Sequence, residues 1–392
     1  MINRSRNLFS LKNKQYVFTG FNEASILLAK DLIRTKDDIS VLFLLPYMEI
    51  KNSELFEQLD GLGFIIMYVS FDDNNMFKIS DKQFEKWRAC FFIENDEDIN
   101  IKMALKFIRR LNEAKFQKDM EIDIYIRAET EDMELLFTDK ADYLHLHVFN
   151  QSDITARQFV LAHPMLKAPE TECSENNILI LGFGHIGIEL LKKSICDAQY
   201  SDKQLSVTII DEQFDTHYSD FLFRCSEAIE KYNIVFNPND INYARSKRFF
   251  SWLLEKRNNG DVLNLISFNR IFVALGDSRL NIDVAQTICD LRRKLELVNS
   301  KDVIFAHVHE TDSYNYFDEN NENRKISIFG NSDKIYTVDV VINETIDAIA
   351  KAINYEYSKE DYKNDKEAWR KATIYDQNSS RAAAAGRICR LS

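Results

Sequence analysis

Three glycines give the chain its clearest chemistry. The segment NILILGFGHIGIELL carries Gly182, Gly184 and Gly187 in the spacing G-x-G-x-x-G, directly after an apolar run and at the opening of a helical pattern. In that context the first glycine permits a tight turn, the second lets backbone approach a pyrophosphate, and the third allows close helix–strand packing. A helix starting near His185 aims its free N–H groups and the positive end of its dipole at phosphate oxygens. Phe183, His185 and Ile186 complete the loop. Asp211 ends the next apolar run, 24 residues after Gly187, where a carboxylate accepts hydrogen bonds from a ribose diol. The other reading of the motif is a glycine turn kept for packing.

Further residues stand where such sheets place ligands. Asp277 and Asn281 follow the fourth apolar run of this region; Asp277 either caps the next helix or faces the nucleotide. His307 closes the fifth run and reads as an edge histidine rather than a catalyst. His145/His147 and His307/His309 are i, i+2 pairs on a shared strand face, with no third metal ligand near in sequence, so no metal site is expected. Four Y-x-x-x-K matches (Tyr47/Lys51, Tyr243/Lys247, Tyr355/Lys359, Tyr362/Lys366) stand against about one or two expected by chance for 16 tyrosines among many lysines, and none sits just past the fourth strand of a Rossmann unit, so each reads as incidental. No H-E-x-x-H, G-x-S-x-G or P-loop motif occurs. No catalytic residue is assigned.

The elements that position these residues alternate apolar runs with helical patterns, which predicts an α/β fold with parallel strands. Strands are expected at Gln15–Thr19, Ser40–Leu45, Gly63–Val69, Ala89–Ile93 and Ile122–Arg127, then at Asn177–Leu181, Ser206–Ile210, Asn233–Phe236, Arg270–Leu275 and Asp302–His307. Helices are expected at Ala24–Arg34, Ile101–Asn112, Ile186–Cys196 and Ile282–Leu297. The two sets read as one unit written twice. Phe92–Asn100 aligns with Val273–Asn281, and Ile124–Glu129 with Phe305–Glu310, at one offset of 181 residues. The first copy departs at its turn, where Asn22 and Ser25 replace the second and third glycines and Glu23 would repel a phosphate. We therefore expect it to be a degenerate, structural or dimer-forming copy. The predicted architecture is two Rossmann-like parallel-sheet domains in tandem plus a small C-terminal helical module. The expected boundaries are 1–166, a linker at 167–176, 177–332 and 338–392, with a second linker near Phe317–Arg324 or just after Gly330.

The composition of the 392 residues, 45% hydrophobic and 29% charged, is enough to bury a large core without disulfides. A net charge of −12 disfavours nonspecific contact with nucleic acid or anionic membrane. Six cysteines lack any C-x-x-C pair, the amino terminus lacks the apolar run of a signal peptide, and no stretch reaches ~18 apolar residues. The expectation is a reduced, cytoplasmic protein with no membrane insertion.

The second copy, through Gly182–Gly187, the IID ending at Asp211, VALGDSRLN (Val273–Asn281) and IFAHV (Ile304–Val308), resembles the TrkA-N or RCK-type nucleotide-binding domain, and Lys14–Gly330 looks like two such units in tandem. That resemblance implies a domain that binds NAD(H), ATP or ADP as a sensor, dimerises and regulates potassium transport, and whose partner is a membrane transporter subunit. It places the nucleotide on Gly182, Gly184, His185, Ile186 and Asp211, with Asp277 as a further contact. The tail, Ala348–Tyr362 and Ala368–Leu391, resembles the ryanodine-receptor-type (RyR) repeat of bacterial proteins, marked by Trp369 and the segment Ser379-Ser380-Arg381. Ser380 stands where that family has asparagine, and Asn354 where it often has histidine. The resemblance implies a ligand-sensing module on Trp369, Ser380 and Arg381, in ion transport or nucleotide-based defence signalling. From the residues alone, Ser379 or Ser380 would cap a helix and leave Arg381 to meet an anion; in the plainer reading Arg381 pairs with a carboxylate and Trp369 fills a small core.

A dehydrogenase would need a substrate domain and a proton-transfer group beside its cofactor. This chain spends that length on a second copy of the same unit. The reading is therefore a cytoplasmic nucleotide-sensing regulatory protein, with an NAD(P)-dependent oxidoreductase and a non-binding scaffold as alternatives.

Overall fold

Runs such as NILIL, VTII and RIFV have apolar side chains at consecutive positions, so both faces of each strand must be covered, as in parallel sheets flanked by helices. A computed structural model of the protein describes residues 14–46, 63–69, 84–113, 121–129, 143–163, 175–198, 204–257, 262–297, 303–319 and 325–391. It forms two six-stranded sheets, each belonging to its own compact unit.

The first unit comprises residues 1–151 and 333–345. Its strands are β1 (Lys14–Phe18), β2 (Ile39–Pro46), β3 (Ile65–Val69), β4 (Trp87–Phe92), β5 (Ile122–Arg127) and β6 (Leu144–Phe149), in the order β3-β2-β1-β4-β5-β6. Helices α1 (Glu23–Thr35) and α2 (Glu97–Glu113) connect them. One register position carries an aromatic ladder across five strands: Phe43, Phe18, Phe91, Tyr125 and His147 stack at 5.2, 4.5, 4.9 and 4.6 Å between ring centres. Each is the direct cross-strand partner of the next.

His147 ends the ladder between two carboxylates, Asp123 Oδ1 at 3.1 Å from Nε2 and Glu344 Oε1 at 3.3 Å from Nδ1. Glu344 lies in the returning segment Asp333–Thr345, which is also held by a hydrogen bond from Val338 N–H to Asp31 Oδ2 (2.7 Å) and one from Tyr336 Oη to Gln151 Oε1 (2.7 Å).

The second unit comprises residues 152–332 and 346–392. Its strands are β7 (Glu175–Leu181), β8 (Gln204–Ile210), β9 (Asn233–Phe236), β10 (Arg270–Val273), β11 (Ile304–His307) and β12 (Ile326–Phe329), in the order β9-β8-β7-β10-β11-β12. This is the 3-2-1-4-5-6 order of the first sheet repeated, and every pairing in both sheets is parallel. Its helices include α3 (Gln151–Ala162), α4 (His185–Ala198), α5 (Phe214–Lys231), α6 (Lys247–Leu253), α7 (Ser278–Lys294), α8 (Thr311–Glu319), α9 (Ala348–Ser358), α10 (Asp365–Lys371) and α11 (Ile374–Leu391).

The α/β class and the tandem of Rossmann-type sheets are as expected. The unit boundaries differ from 1–166, 177–332 and 338–392. Helix α3 belongs to the second unit because Phe159 packs edge-on or tilted against Phe272, Phe305 and Phe329. Residues 333–345 return to the first unit through Asp31, Gln151 and His147. The tail helices join the second unit, with α11 lying along α4. Of the linker expected at 167–176, residues 167–174 lie outside the described residues, and Glu175 and Asn176 already belong to β7. Phe317 is buried in α8 rather than in a linker, whereas the chain leaves the second unit after Ser332, close to the alternative position after Gly330. Strands β6 and β12 lie outside the expected set: LHLHVF alternates histidine with apolar residues and ISIF is only four residues long.

Burial alone would lower the pKa of His147, but its hydrogen bonds to Asp123 and Glu344 outweigh that and lift it to about 9. Its folded pKa lies above the ordinary value of 6.5, so its contribution is complete below about pH 6.5 and lost as pH rises through about 9. His147→Gln should cost ~3 kcal/mol in urea unfolding at pH 6, with the gap from wild type closing by pH 10.

Candidate functional site

The site grows from a backbone constraint at the end of β7. Gly182 has φ +93°, and a Cβ there would stand 2.2 Å from the carbonyl oxygen of Ala274 on the neighbouring strand's exit. A Cβ on Gly187 would stand 2.2 Å from the Gly182 carbonyl oxygen, so only glycine lets the first turn of α4 sit this close to the strand. Gly184 is different: a Cβ there meets no atom within 4 Å. Protein packing does not require a glycine here. The first α4 hydrogen bond runs from Ile188 N–H to Gly184 O (3.0 Å), which leaves the preceding N–H groups at the helix's positive end.

Asp211, buried at the end of β8, is bound into this loop. Its Oδ2 accepts from Phe183 N–H (2.5 Å) and its Oδ1 from Gln213 N–H (2.6 Å). Four lone-pair positions on a carboxylate leave room for a diol beside these two bonds. Two residues that sequence reading missed complete its setting. Asn237, in the left-handed region at φ 41°, grips the Asp211 backbone in both directions, accepting from its N–H at 3.0 Å and donating to its carbonyl at 3.1 Å. His217 places Nδ1 3.5 Å from Asp211 Oδ1. An Asn-Pro pair just after a strand was the available signal for the first, since asparagine tolerates left-handed backbone. Alongside lies a half-buried aromatic wall of Phe214, Tyr218 and Phe236, with ring centres 4.6 to 5.6 Å apart.

Not every predicted residue faces this loop. The Phe183 ring is buried against Phe221 and Phe236 and contributes only its backbone N–H. His185 and Ile186 open α4. Asp277 is exposed and caps α7, accepting from Leu280 N–H at 2.7 Å, so the capping alternative describes its geometry. Asn281 accepts from Leu275 N–H (2.7 Å) and donates to His307 O (2.9 Å), tying the exit of β10 to β11. His307 is buried, and burial together with the neighbouring His309 pushes its pKa down to about 3. Among the described residues its Nε2 has no hydrogen-bond partner, so it is not the satisfied edge histidine expected.

The first unit repeats this framework with the loop closed. Asn100 stands in for Asn281, accepting from Glu94 N–H (2.6 Å) and donating to Arg127 O (3.0 Å). Asn22 caps α1 reciprocally with Ser25. Glu94 then lays its carboxylate on the turn, accepting from Phe21 N–H (3.3 Å) and from Asn22 Nδ2 (3.4 Å). An internal carboxylate thus sits at the mouth where a phosphate would lie. At the 181-residue offset, Glu94 corresponds to Leu275 in the second unit.

In the tail, Trp369 is buried with Ala350, Ile353 and Ala384. Arg381 lies over its ring at 5.2 Å and forms a two-pronged pair with Asp347, Nε to Oδ1 at 3.0 Å and Nη2 to Oδ2 at 2.9 Å. Arg157 also binds Asp347. Ser379 and Ser380 do not cap a helix. They lie inside α11, which starts at Ile374 behind Thr373, whose hydroxyl accepts from Asp376 N–H (3.1 Å). The plainer reading of Arg381 and Trp369, an ion pair over a small helical core, is the one the geometry adopts. Among the described residues no group of three His, Cys, Asp or Glu side chains is placed to hold a metal ion, and no helix is long and apolar enough to cross a membrane.

No protein-family model matches the chain, and no curated protein matches it. Among solved structures it is similar to a dipicolinate synthase subunit from Bacillus halodurans, at 10% identity over 85% of this chain and 98% of that one, with a TM-score of 0.26. A likeness at that level bears on neither fold nor function.

Gly182 and Gly184 make separable predictions. Gly182→Ala forces an L side chain to φ +93° against a carbonyl and should cost about 2–4 kcal/mol in urea unfolding. Gly184→Ala should stay within about 1 kcal/mol of wild type, because its Cβ enters open space at a helix start.

Proposed function

We propose that the protein is a nucleotide-sensing regulator whose second Rossmann unit binds NAD(H) or an adenine nucleotide. The observation that carries this reading is the contrast between the two copies. One has its turn closed by Asn22 and Glu94; the other keeps an open Gly184, an ordered carboxylate at Asp211 and a helix N-terminus behind them. Residues Gly182–Gly187 would hold the phosphates, Asp211 the ribose diol and the Phe214–Tyr218–Phe236 wall the base.

The route from site to tail runs along α4. Its second turn carries Glu189 and its third Lys193, which binds Asp153 Oδ1 at 2.7 Å. Asp153 Oδ2 binds Arg157 Nε at 2.7 Å, and Arg157 reaches Asp347, the partner of Arg381. Burial would raise the pKa of Asp153, but Arg157 and Lys193 hold it well below the ordinary carboxylate range. A ligand that shifts the N-terminus of α4 therefore acts on charges fixed to the tail helices. The TrkA-N and RyR resemblances supply the setting of this proposal: a cytoplasmic dimer that partners a membrane transporter in ion-transport regulation, or one that acts in nucleotide-based defence signalling.

Calorimetric titration with NAD⁺, NADH, ADP, ATP and ADP-ribose tests the reading. At least one should bind, and Gly184→Ala and Asp211→Asn should each weaken it by about tenfold or more. Binding that survives both substitutions sinks the site; turnover of a carbonyl substrate with NADH would favour the oxidoreductase instead. Asp347→Asn should keep the affinity and abolish any ligand-dependent change in proteolysis of the tail.

A further inference from the structure

The crossover from β9 to β10 is longer than its counterpart in the first unit. It spans 33 residues, 237–269, whereas β3 and β4 are joined by 17, residues 70–86. The longer crossover also carries charge of the opposite sign to the chain as a whole. Residues 245–257 hold five cations (Arg245, Lys247, Arg248, Lys256 and Arg257) and one acid, Glu255, in a protein of net charge −12. Residues 70–86 hold three Lys and four acids.

The crossover folds as a small lobe. Ser246 Oγ accepts from Phe249 N–H (3.0 Å) and starts α6, which buries Phe249, Trp252 and Leu253. Helical periodicity puts Lys247, Ser251 and Leu254 on the opposite face with Arg248 beside them, and all four are exposed. The chain then doubles back. Lys256 bridges Leu263, Arg257 N–H donates to Val262 O (2.9 Å), and Asn264 N–H donates to Glu255 O (2.9 Å). Asn264 Nδ2 also donates to Trp252 O (2.9 Å), which ties the returning segment to α6. Before the helix, the Arg245 guanidinium lies over the Tyr243 ring at 5.1 Å. Ile241, Ala244 and Phe249 share one buried cluster with Leu181 and Ile210, the last residues of β7 and β8, so the lobe is fixed to the sheet.

Two properties set the lobe apart. Elsewhere on the surface, cations sit against carboxylates, as Arg34 does with Asp31, Arg293 with Asp290 and Lys359 with Glu356. Lys247, Arg248 and Arg257 form no ion pair with another described residue. Secondly, Tyr243, Leu254, Val262 and Ile266 are each 37 to 45% exposed in the same stretch. A single exposed apolar side chain is ordinary, but several among unmatched cations make the composition that settles in the interface of an anionic bilayer. A polynucleotide would meet the same cations, but it gains from stacking on aromatic rings, and three of these four side chains are aliphatic. The net charge of the chain does not oppose the contact. Exposed charges farther off than about 8 Å are largely screened at physiological salt, so an approaching surface meets the charge of the lobe itself.

We infer that the lobe formed by residues 241–267 docks the second unit on an anionic phospholipid surface, with its cations at the headgroup phosphates and its four exposed apolar side chains in the boundary between headgroups and acyl chains. The docking is peripheral, and it is independent of the nucleotide reading of the Gly182–Asp211 site.

The test is sedimentation of the full chain with vesicles of phosphatidylcholine alone, or of phosphatidylcholine and phosphatidylglycerol in equal parts. Wild type should pellet with the mixed vesicles and stay in solution with phosphatidylcholine, and its binding should fall steeply as salt is raised. The Lys247→Gln/Arg248→Gln variant should bind the mixed vesicles about tenfold or more weakly, at roughly fivefold for each cation removed, with a urea midpoint that shows it folded. Leu254→Ser/Val262→Ser should weaken binding and keep its salt dependence, and Lys359→Gln, on the tail, should leave binding unchanged. The inference is overturned if the mixed vesicles do not bind, if phosphatidylcholine binds equally well, or if Lys247→Gln/Arg248→Gln binds like wild type. Capture of single-stranded RNA in place of vesicles would overturn it in favour of a nucleic-acid site. Salt-sensitive self-association lost in the same variant, without vesicle binding, would overturn it in favour of an interface between copies.

Discussion

The second unit is organised by one close approach of backbone to backbone, the Gly182 α-carbon against the Ala274 carbonyl. Because β7 and β10 are neighbours in a parallel sheet, their exits leave the same edge side by side, and the glycine lets the chain turn there without a side chain between them. The turn in turn seats α4 against the strand through Gly187 and leaves Phe183 N–H pointing at Asp211. Asn281 fixes the opposite wall by bonding Leu275 and His307. The open space at Gly184 is what remains when these contacts are all made. A larger residue at Gly182 would disturb every one of them, whereas Gly184 touches none.

The same framework in the first unit shows which parts serve packing and which do not. A Cβ on Gly20 would meet the Ile93 carbonyl oxygen at 2.9 Å, so the strand-to-strand approach persists in weaker form, and Asn100 repeats the clasp of Asn281. What has changed is confined to the mouth. Asn22 satisfies the helix start by itself, and Glu94 brings the negative charge that a helix N-terminus favours. The first unit has internalised its anion, and its sheet is held by the aromatic ladder ending at His147 instead. Leu275, at the place of Glu94, offers no charge and leaves the second mouth free.

The two sheets and their order were legible in the sequence because buried parallel strands write continuous apolar runs and because the chain writes them twice. The glycine loop, Asp211 and the Asn100–Asn281 equivalence were legible for the same reason, as short polar signals at fixed distances from those runs. Four features were not. Strand β6 alternates His145 and His147 with apolar residues, since its histidines meet carboxylates rather than a second apolar layer. Helix α3 follows the first sheet in sequence but packs in the second unit through Phe159, which no local pattern encodes. Asn237 matters through Asp211, 26 positions away in the chain. The serine pair before Arg381 reads as a helix cap, but Thr373 and Asp376 start the helix one to two turns earlier and carry both serines inside it.

The buried charges beneath α4 bear on why the tail is attached where it is. Taking carboxylates and cations out of water costs several kcal/mol per ion, and an apolar cluster of the same volume would serve stability as well or better. Asp153, Glu189 and Asp347 facing Arg157, Lys193 and Arg381 are therefore poorly explained as a source of stability. They do something apolar packing cannot: Lys193 of α4 meets Asp153 of α3, which also meets Arg157, and Arg157 meets Asp347, the partner of Arg381 on α11, so a shift of α4 that breaks the Lys193–Asp153 pair strips a cation from a shared buried cluster. An apolar contact would slide; this one has a preferred position and a steep cost on either side. In the proposed reading, a helix that begins at the Gly182–Gly187 turn and continues into such a cluster carries a displacement at its start to the charges that hold the tail.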